Sequence, residues 1–318
     1  MSLSIPPRAA LVEHARLSIA RGSKSFAAAS RLFDRTTRER VWMLYAWCRA
    51  CDDLADAQDH GGTLGDQADP HTRLGLIRAR TTRALAGEGT GDPAFDALGQ
   101  VARETGLTPA MAEDVIAGFA LDADGWRPRS EADMMRYCFH VAGAVGVMMA
   151  VVMGVAPDDD DTLDRACDLG LAFQLANIAR DVDEDGAAGR CYLPQEWLAE
   201  ADIPPGEHMK PPYRARLVEL VARMCAMAAT HATAARVGAA RLRFRQRWAI
   251  LAAARIYGAI ARKVAASGAQ AWDHRIHTGH MEKLGHVLAA FMEVCLPAPR
   301  VRQWPRWNRR MLVDQASR

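Results

Sequence analysis

Lysine is nearly absent from this 318-residue chain, and arginine supplies almost all of its positive charge. With 40 basic and 38 acidic residues the formal net charge is only +2, so nothing global calls for nucleic acid as a partner. Alternating strand-like runs are hard to find, which argues against a sheet. No GxGxxG follows a strand and there is no Walker loop, so neither common nucleotide cradle is present. The N-terminal stretch lacks an apolar h-region, and a secretory signal is not expected. The uncharged apolar run after His140, residues 141–156, falls short of the ~20 residues a membrane span needs and is rich in small residues, as a buried core helix would be. Seven cysteines, an odd number, are scattered along the chain. That excludes a disulfide framework and fits a reducing cytoplasm. Cys48 and Cys51 form a CxxC, but no second Cys or His pair has zinc spacing.

What is present is helical. Half the residues are hydrophobic and a quarter charged, ordinary for a globular chain. Apolar residues recur at helical spacing, and Ala, Leu, Met and Arg dominate. Gly, Pro and Asp clusters divide the pattern into helices near 9–20, 23–32, 36–57, 71–86, 93–105, 109–124, 131–155, 160–185, 213–237, 241–267 and 280–296. Residues 1–297 read as one all-α domain. Residues 298–318, with two tryptophans and several arginines, read as a loosely packed tail or a membrane-surface contact through Trp304, Trp307, Arg309 and Arg310.

Two stretches carry the chemistry. "CDDLADAQD", residues 51–59, puts four acids after an apolar helical run. On that helix Tyr45, Arg49, Asp52 and Asp56 fall on one stripe, since successive residues turn by about 100°. In "FQLANIARDVDEDGAAGRCYLP", residues 173–194, the same arithmetic aligns Gln174, Asn177, Asp181 and Asp185. Leu175, Ile178 and Val182 lie on another face, and Asp183 and Glu184 fall off the strip. Carboxylates four apart can reach one ion. Mg²⁺ keeps several waters and takes one or two carboxylates plus substrate phosphates, so two such clusters point to a diphosphate held by divalent cations. Solvated acidic helix ends are the alternative. "RGSKSF", residues 21–26, offers Ser23, Lys24 and Ser25 either as a phosphate contact or as an ordinary helix cap. In "RYCFHVAGAVG", Tyr137 precedes a run of Ala and Gly that permits close approach of another helix or of a flat hydrocarbon. Its phenol could rim an apolar channel or sit in the core with its hydroxyl satisfied.

In this order the motifs resemble the squalene and phytoene synthase family of head-to-head prenyl synthases, and within it the bacterial carotenoid branch. The resemblance runs from about residue 12 to 296 and rests on "GSKSF", "LYAWCRACDDLAD", "YCFHVAGAVG", "DLGLAFQLANIARDVDEDGAAGRCYLP" and "AARIYGAIARKV". It implies an all-α isoprenoid-synthase-type bundle with a central catalytic cavity, where two aspartate-rich helices bind Mg²⁺ or Mn²⁺ and the diphosphates. By motif, the metal ligands would be Asp52 and Asp56 on the first helix and Asp181 and Asp185, with Asn177, on the second. Tyr45, Arg49, Gln174, Asn177 and Arg180 match positions around the diphosphates and ions, and Ser23, Lys24 and Ser25 of "GSKSF" are candidate diphosphate contacts. Tyr137 matches the tyrosine near the carbocation, and Tyr257 and Arg275 match C-terminal diphosphate contacts. Two positions depart: Gly22, where several relatives carry a side chain, and Asp183, where Gly is usual.

The implied reaction joins two geranylgeranyl diphosphates through prephytoene diphosphate to 15-cis-phytoene, releasing diphosphate and needing no NADPH. That is the first committed step of carotenoid synthesis. The nearest alternative is the same chemistry on farnesyl diphosphate, giving squalene or dehydrosqualene. Ser30, small and just after "GSKSF", favours the longer chain. A non-catalytic assembly factor would be expected to have lost acids, and both motifs are intact. A cyclising terpene synthase would carry an Asn/Ser/Glu triad that the second motif lacks. The implied partners are the prenyl diphosphate, other carotenoid-pathway enzymes and a peripheral membrane surface. The implied location is the cytoplasm, at the inner membrane.

Overall fold

The structure, a computed structural model, describes residues 3–57, 69–301 and 303–316, with the side chains of all of these except 24, 25 and 314–316. Among the described residues the only extended pairing is an isolated bridge between Leu3 and Gly89. The all-α expectation holds. The chain divides into two compact units, Met1–Gly125 with Val147–Leu163, and Trp126–Gly146 with Asp164–Arg318.

The first unit contains α1 (Arg8–Gly22), α2 (Lys24–Ser30), α3 (Arg35–Ala55), α4 (Pro70–Leu85), α5 (Pro93–Thr105) and α6 (Pro109–Ala123). Their starts are set by capping side chains. Asp34, Asp69, Asp92 and Thr108 each accept a backbone N–H from the first turn, and α4, α5 and α6 open on proline, whose missing N–H would be unpaired there anyway. Such a cap contributes about 1 kcal/mol. α3 packs against α1, α4 and α5, burying Met43, Leu44 and Trp47 completely. The Trp47 indole donates to Thr81 Oγ1 at 3.2 Å, so its one polar atom is satisfied. The α4–α5 approach requires Gly99: a Cβ there would lie 2.3 Å from the Ala84 carbonyl oxygen.

One long helix begins in the second unit and ends in the first. α7 (Glu131–Cys138) runs through a π-helical turn (Phe139–Gly143) into α8 (Ala144–Val152). By length and composition Glu131–Val152 could cross a membrane, yet 67% of its apolar window is buried. Its glycines explain the burial. Beside it lies α9 (Asp160–Ala187), and a Cβ at Gly170 would meet the Ala142 carbonyl oxygen at 2.1 Å, while one at Gly146 would meet that of Ala166 at 2.5 Å. The small-residue run therefore admits another helix. Beyond α9 come α10 (Gln195–Glu200), α11 (Arg214–Ala239), α12 (Phe244–Ser267), α13 (His280–Val294) and α14 (Arg309–Ala316). Ala239, Leu251, Ala252, Ala290 and Val294 form the core shared by α11, α12 and α13.

The C-terminal segment differs from the loose tail expected of it. Trp307 is buried and donates its indole N–H to Glu131 Oε1 at 2.8 Å. Arg309 Nε donates to Asp164 Oδ1 at 2.7 Å, with Arg310 Nε 3.7 Å from the other oxygen. Leu312 is fully buried, and α14 lies on α7. Trp307 and Arg309 are thus engaged by internal partners. Trp304 remains exposed, with the Arg165 guanidinium 4.8 Å from its ring centre.

Candidate active site

In the first unit α3 presents the expected stripe. Tyr45 and Arg49 are on the helix, Asp52 is in its last turn, and Asp56 is the C-cap, its N–H donating to the Asp52 carbonyl at 2.9 Å. The Arg49 Nη1 lies 3.8 Å from Asp52 Oδ2 and 3.8 Å from Asp53 Oδ1. Asp52 keeps 45% of its side-chain surface open, yet the protein around it pushes its carboxyl up to about 7. Desolvation does most of this, Arg49 offsets part, and Asp56, Asp53 and Asp122 add to it. Water at the open surface moderates the shift; its direction is upward, as a carboxylate among carboxylates requires. Asp122, at the end of α6, was not singled out from the sequence, because only the fold brings it to α3.

Tyr45 and Arg49 sit side by side, and both the Tyr45 hydroxyl and Arg49 Nε are buried without a hydrogen-bond partner. The guanidinium is near enough to pull the phenol's pKa down, but burial wins and the net shift is upward. Phe26 of α2 leans on the Tyr45 ring at 5.6 Å. Gly22 explains the crowding: a Cβ there would lie 2.4 Å from the Tyr45 hydroxyl and 3.4 Å from Arg49 Nε. The space that a side chain at 22 would occupy is filled by Tyr45. Ser23 serves as the cap of α2, accepting the Phe26 N–H at 3.2 Å. The side chains of Lys24 and Ser25 lie outside the described residues. Ser30 is fully buried, donates to the Ala27 carbonyl at 2.7 Å and accepts the Trp42 indole N–H at 2.9 Å.

In the second unit α9 sorts its faces as the spacing predicts. Leu175, Ile178 and Val182 are buried, Gln174, Asn177, Asp181 and Asp185 form a half-buried strip, and Asp183 and Glu184 are exposed. Arg180 grips Asp181 with two donors, Nε to Oδ1 at 2.7 Å and Nη2 to Oδ2. Arg275 joins them, 3.3 Å from Asp181 Oδ1 and 2.7 Å from Glu184 Oε2. Tyr257 stacks on Phe173 with ring centres 4.0 Å apart, and burial raises its pKa. The Trp272 indole donates to the Ala179 carbonyl at 3.0 Å, bracing the back of α9.

Tyr137 is buried in an aromatic stack, 5.7 Å from Trp126 and 4.7 Å from Tyr192, with interplanar angles of 17° and 20°. The π-helical turn begins two residues later; such turns often mark functional sites. Trp126 and Tyr192 were not picked out from the sequence, although Tyr192 lies inside the "GRCYLP" motif.

The residues fit hard divalent cations bound with phosphate. The donors are carboxylate and amide oxygens, Asp52 is destabilised as an anion, and Tyr45 and Arg49 hold unspent donors. Among the described residues no three His, Cys, Asp or Glu side chains converge as a ready metal cage, so the remaining ligands would be phosphate oxygens and water.

The profile of the squalene/phytoene synthase family matches residues 19–282. The chain is 47% identical over 290 residues to a phytoene synthase of Pseudescherichia vulneris, covering 91% of this chain and 92% of that one. It is 46% identical over 286 residues to a 15-cis-phytoene synthase of Pantoea ananas, covering 88% and 91%. Among solved structures it resembles a dehydrosqualene synthase bound to a ligand, with a TM-score of 0.80 at 25% identity over 91% of this chain and 98% of the other. The fold is therefore the all-α isoprenoid-synthase fold, and the class is that of enzymes acting on prenyl diphosphates. The chain belongs to the squalene/phytoene synthase family.

Proposed function

We propose that the chain is a prenyltransferase that condenses two geranylgeranyl diphosphates head to head into 15-cis-phytoene. What carries the reading is the similarity, over about nine-tenths of both chains, to relatives that bear that name. Both acidic motifs are intact on their helices.

Bound Mg²⁺ or Mn²⁺ supplies charge neutralisation for the leaving diphosphate. Asp52, Asp56, Asp181, Asp185 and Asn177 are the oxygen donors that would hold it. Arg49 and Tyr45 turn their unpaired N–H and O–H on diphosphate oxygens. Arg180 and Arg275, beside Asp181, are the guanidinium groups within reach of a diphosphate there, with Gln174 and Tyr257 nearby. Loss of one diphosphate leaves an allylic cation, and the 2,3-double bond of the second substrate attacks it. Loss of a proton closes the cyclopropane of prephytoene diphosphate. A second ionisation, ring rearrangement and proton loss give phytoene, so two diphosphates and two protons leave in all. The Tyr137 hydroxyl or diphosphate takes the protons. The rings of Trp126, Tyr137 and Tyr192 exclude water and offer π faces to positive charge.

No reductant enters this balance, and the enzyme runs without NADPH. It works in the cytoplasm, peripheral to the inner membrane, where a forty-carbon hydrocarbon can leave into lipid. The test is turnover of geranylgeranyl diphosphate by purified protein with Mg²⁺ or Mn²⁺ and no nicotinamide. Activity that survives chelation, or that appears only with NADPH, overturns the reading.

A further inference from the structure

α13 turns an apolar face to solvent. Its acids are paired: Glu293 accepts from Arg236 Nε at 2.9 Å and from Arg255 Nε at 2.6 Å, and Glu282 accepts from Lys263 Nζ at 2.5 Å. Its outward positions are Met281, Leu284, Leu288, Phe291 and Met292, with Leu296 just beyond the helix. All six are exposed, Met281 by 79%, Leu288 by 59% and Met292 by 67%. No exposed residue from 281 to 296 carries a charge. The spacing of three and four makes one stripe, about 22 Å long at 1.5 Å per residue. Phe244, at the start of α12, widens it: its exposed ring meets Phe291 edge to face at 5.9 Å. A continuous apolar face of this kind marks an interaction surface.

The rim identifies what covers it. From residue 220 to residue 272 the chain has no aspartate or glutamate. Arg241, Arg243 and Arg245 are exposed around Phe244, and Arg247 donates to the Leu296 carbonyl at 2.7 Å, tying that basic run to the end of the stripe. An apolar stripe flanked by arginine is the pattern of a helix lying in the interface of an anionic bilayer. A second copy fits less well. A two-fold contact would press this face on itself and bring its basic rims together, while the acids of α13 are already taken.

We propose that the exposed face of α13, with Phe244, docks on an anionic lipid surface. The Met, Leu and Phe side chains enter the acyl boundary, and the arginines around Phe244 meet the headgroups. Docking through this surface does not depend on the proposed reaction, so binding is measured without substrate.

The experiment is flotation of the full chain with vesicles of phosphatidylcholine, alone or mixed with phosphatidylglycerol. The chain should float with the mixed vesicles. Leu288→Glu, at an exposed position that leaves the core untouched, should lower partitioning by about tenfold or more, the value of one buried leucine. Arg243→Glu should weaken binding and flatten its salt dependence. Should Leu288→Glu lose helix content, the milder pair Leu284→Gln with Met292→Gln reads the same face. The proposal is overturned if the wild-type chain stays unbound, or if the substituted, folded chain floats as well as the wild type. It is also overturned if light scattering shows a lipid-free dimer that Leu288→Glu dissociates, which would give the face to a second copy.

Discussion

The Tyr45 hydroxyl stands in the space that a side chain at position 22 would need: a Cβ on Gly22 would lie 2.4 Å from it. A contact that short forces something to move. Gly22→Ala should displace the Tyr45 ring and with it Arg49, costing about 1–3 kcal/mol as overpacking does and lowering turnover. Tyr45→Phe removes the clashing oxygen, so the double variant should recover much of the stability lost. Thermal unfolding of the four-member cycle measures this, and simple additivity would show that the two residues do not compete for space.

Asp52→Asn and Asp181→Asn should each lower kcat by several orders, because each removes one of the anionic ligands proposed for the metal where charge decides the rate. Asp183→Gly, at an exposed position off the strip, should keep near-normal turnover. Steady-state rates with saturating Mg²⁺ separate the two classes. Full activity in either Asn variant contradicts the assignment of that motif.

The hydroxyl and the ring of Tyr137 make separable contributions. Tyr137→Phe preserves the stack with Trp126 and Tyr192 and should unfold at nearly the wild-type temperature. Tyr137→Ala should cost about 3–5 kcal/mol, like other large aromatic truncations in a core. Loss of rate in the stable Phe variant assigns the hydroxyl a part in the chemistry; an unchanged rate leaves proton removal to diphosphate.

Much of this arrangement is legible in the sequence because it is local. The strip of Gln174, Asn177, Asp181 and Asp185 follows from 3.6 residues per turn, and the burial of Leu175, Ile178 and Val182 follows from the same count. The starts of α4, α5 and α6 are written in Asp-Pro and Thr-Pro pairs. What stayed hidden depends on long-range contact. Asp122 reaches α3 from another helix. Arg275 was named from its motif, but its ion pairs with Asp181 and Glu184, made from a loop, were not. Trp307 reads as a loose tail residue until its indole is seen donating to Glu131, 176 positions earlier. α10 and α14 have six and eight residues, too short and too close to prolines for periodicity to reveal them.

An acid-labile cluster ties α1 to α3 and α5 in the first unit. Glu104 accepts from Arg8, Arg40 and Gln100. Burial alone would raise its pKa, but these hydrogen bonds hold it at about 2, below the ordinary 4.5. A folded-state pKa below the unfolded value means that the stability is fully present above about pH 4.5 and is lost as pH falls toward 2. Urea midpoints should therefore drop as the pH falls from about 4.5 to about 2, and Glu104→Gln should be less stable at neutral pH with a shallower decline. Parallel curves for the two proteins would contradict this.

Competition between the two prenyl diphosphates decides which hydrocarbon the enzyme makes. Purified protein is given equal geranylgeranyl and farnesyl diphosphate with Mg²⁺ and no NADPH, and the hydrocarbon product is read by mass spectrometry. A forty-carbon hydrocarbon with a central triene, 15-cis-phytoene, should form from the longer substrate. A thirty-carbon product formed in preference would contradict this and make the chain a squalene- or dehydrosqualene-forming enzyme.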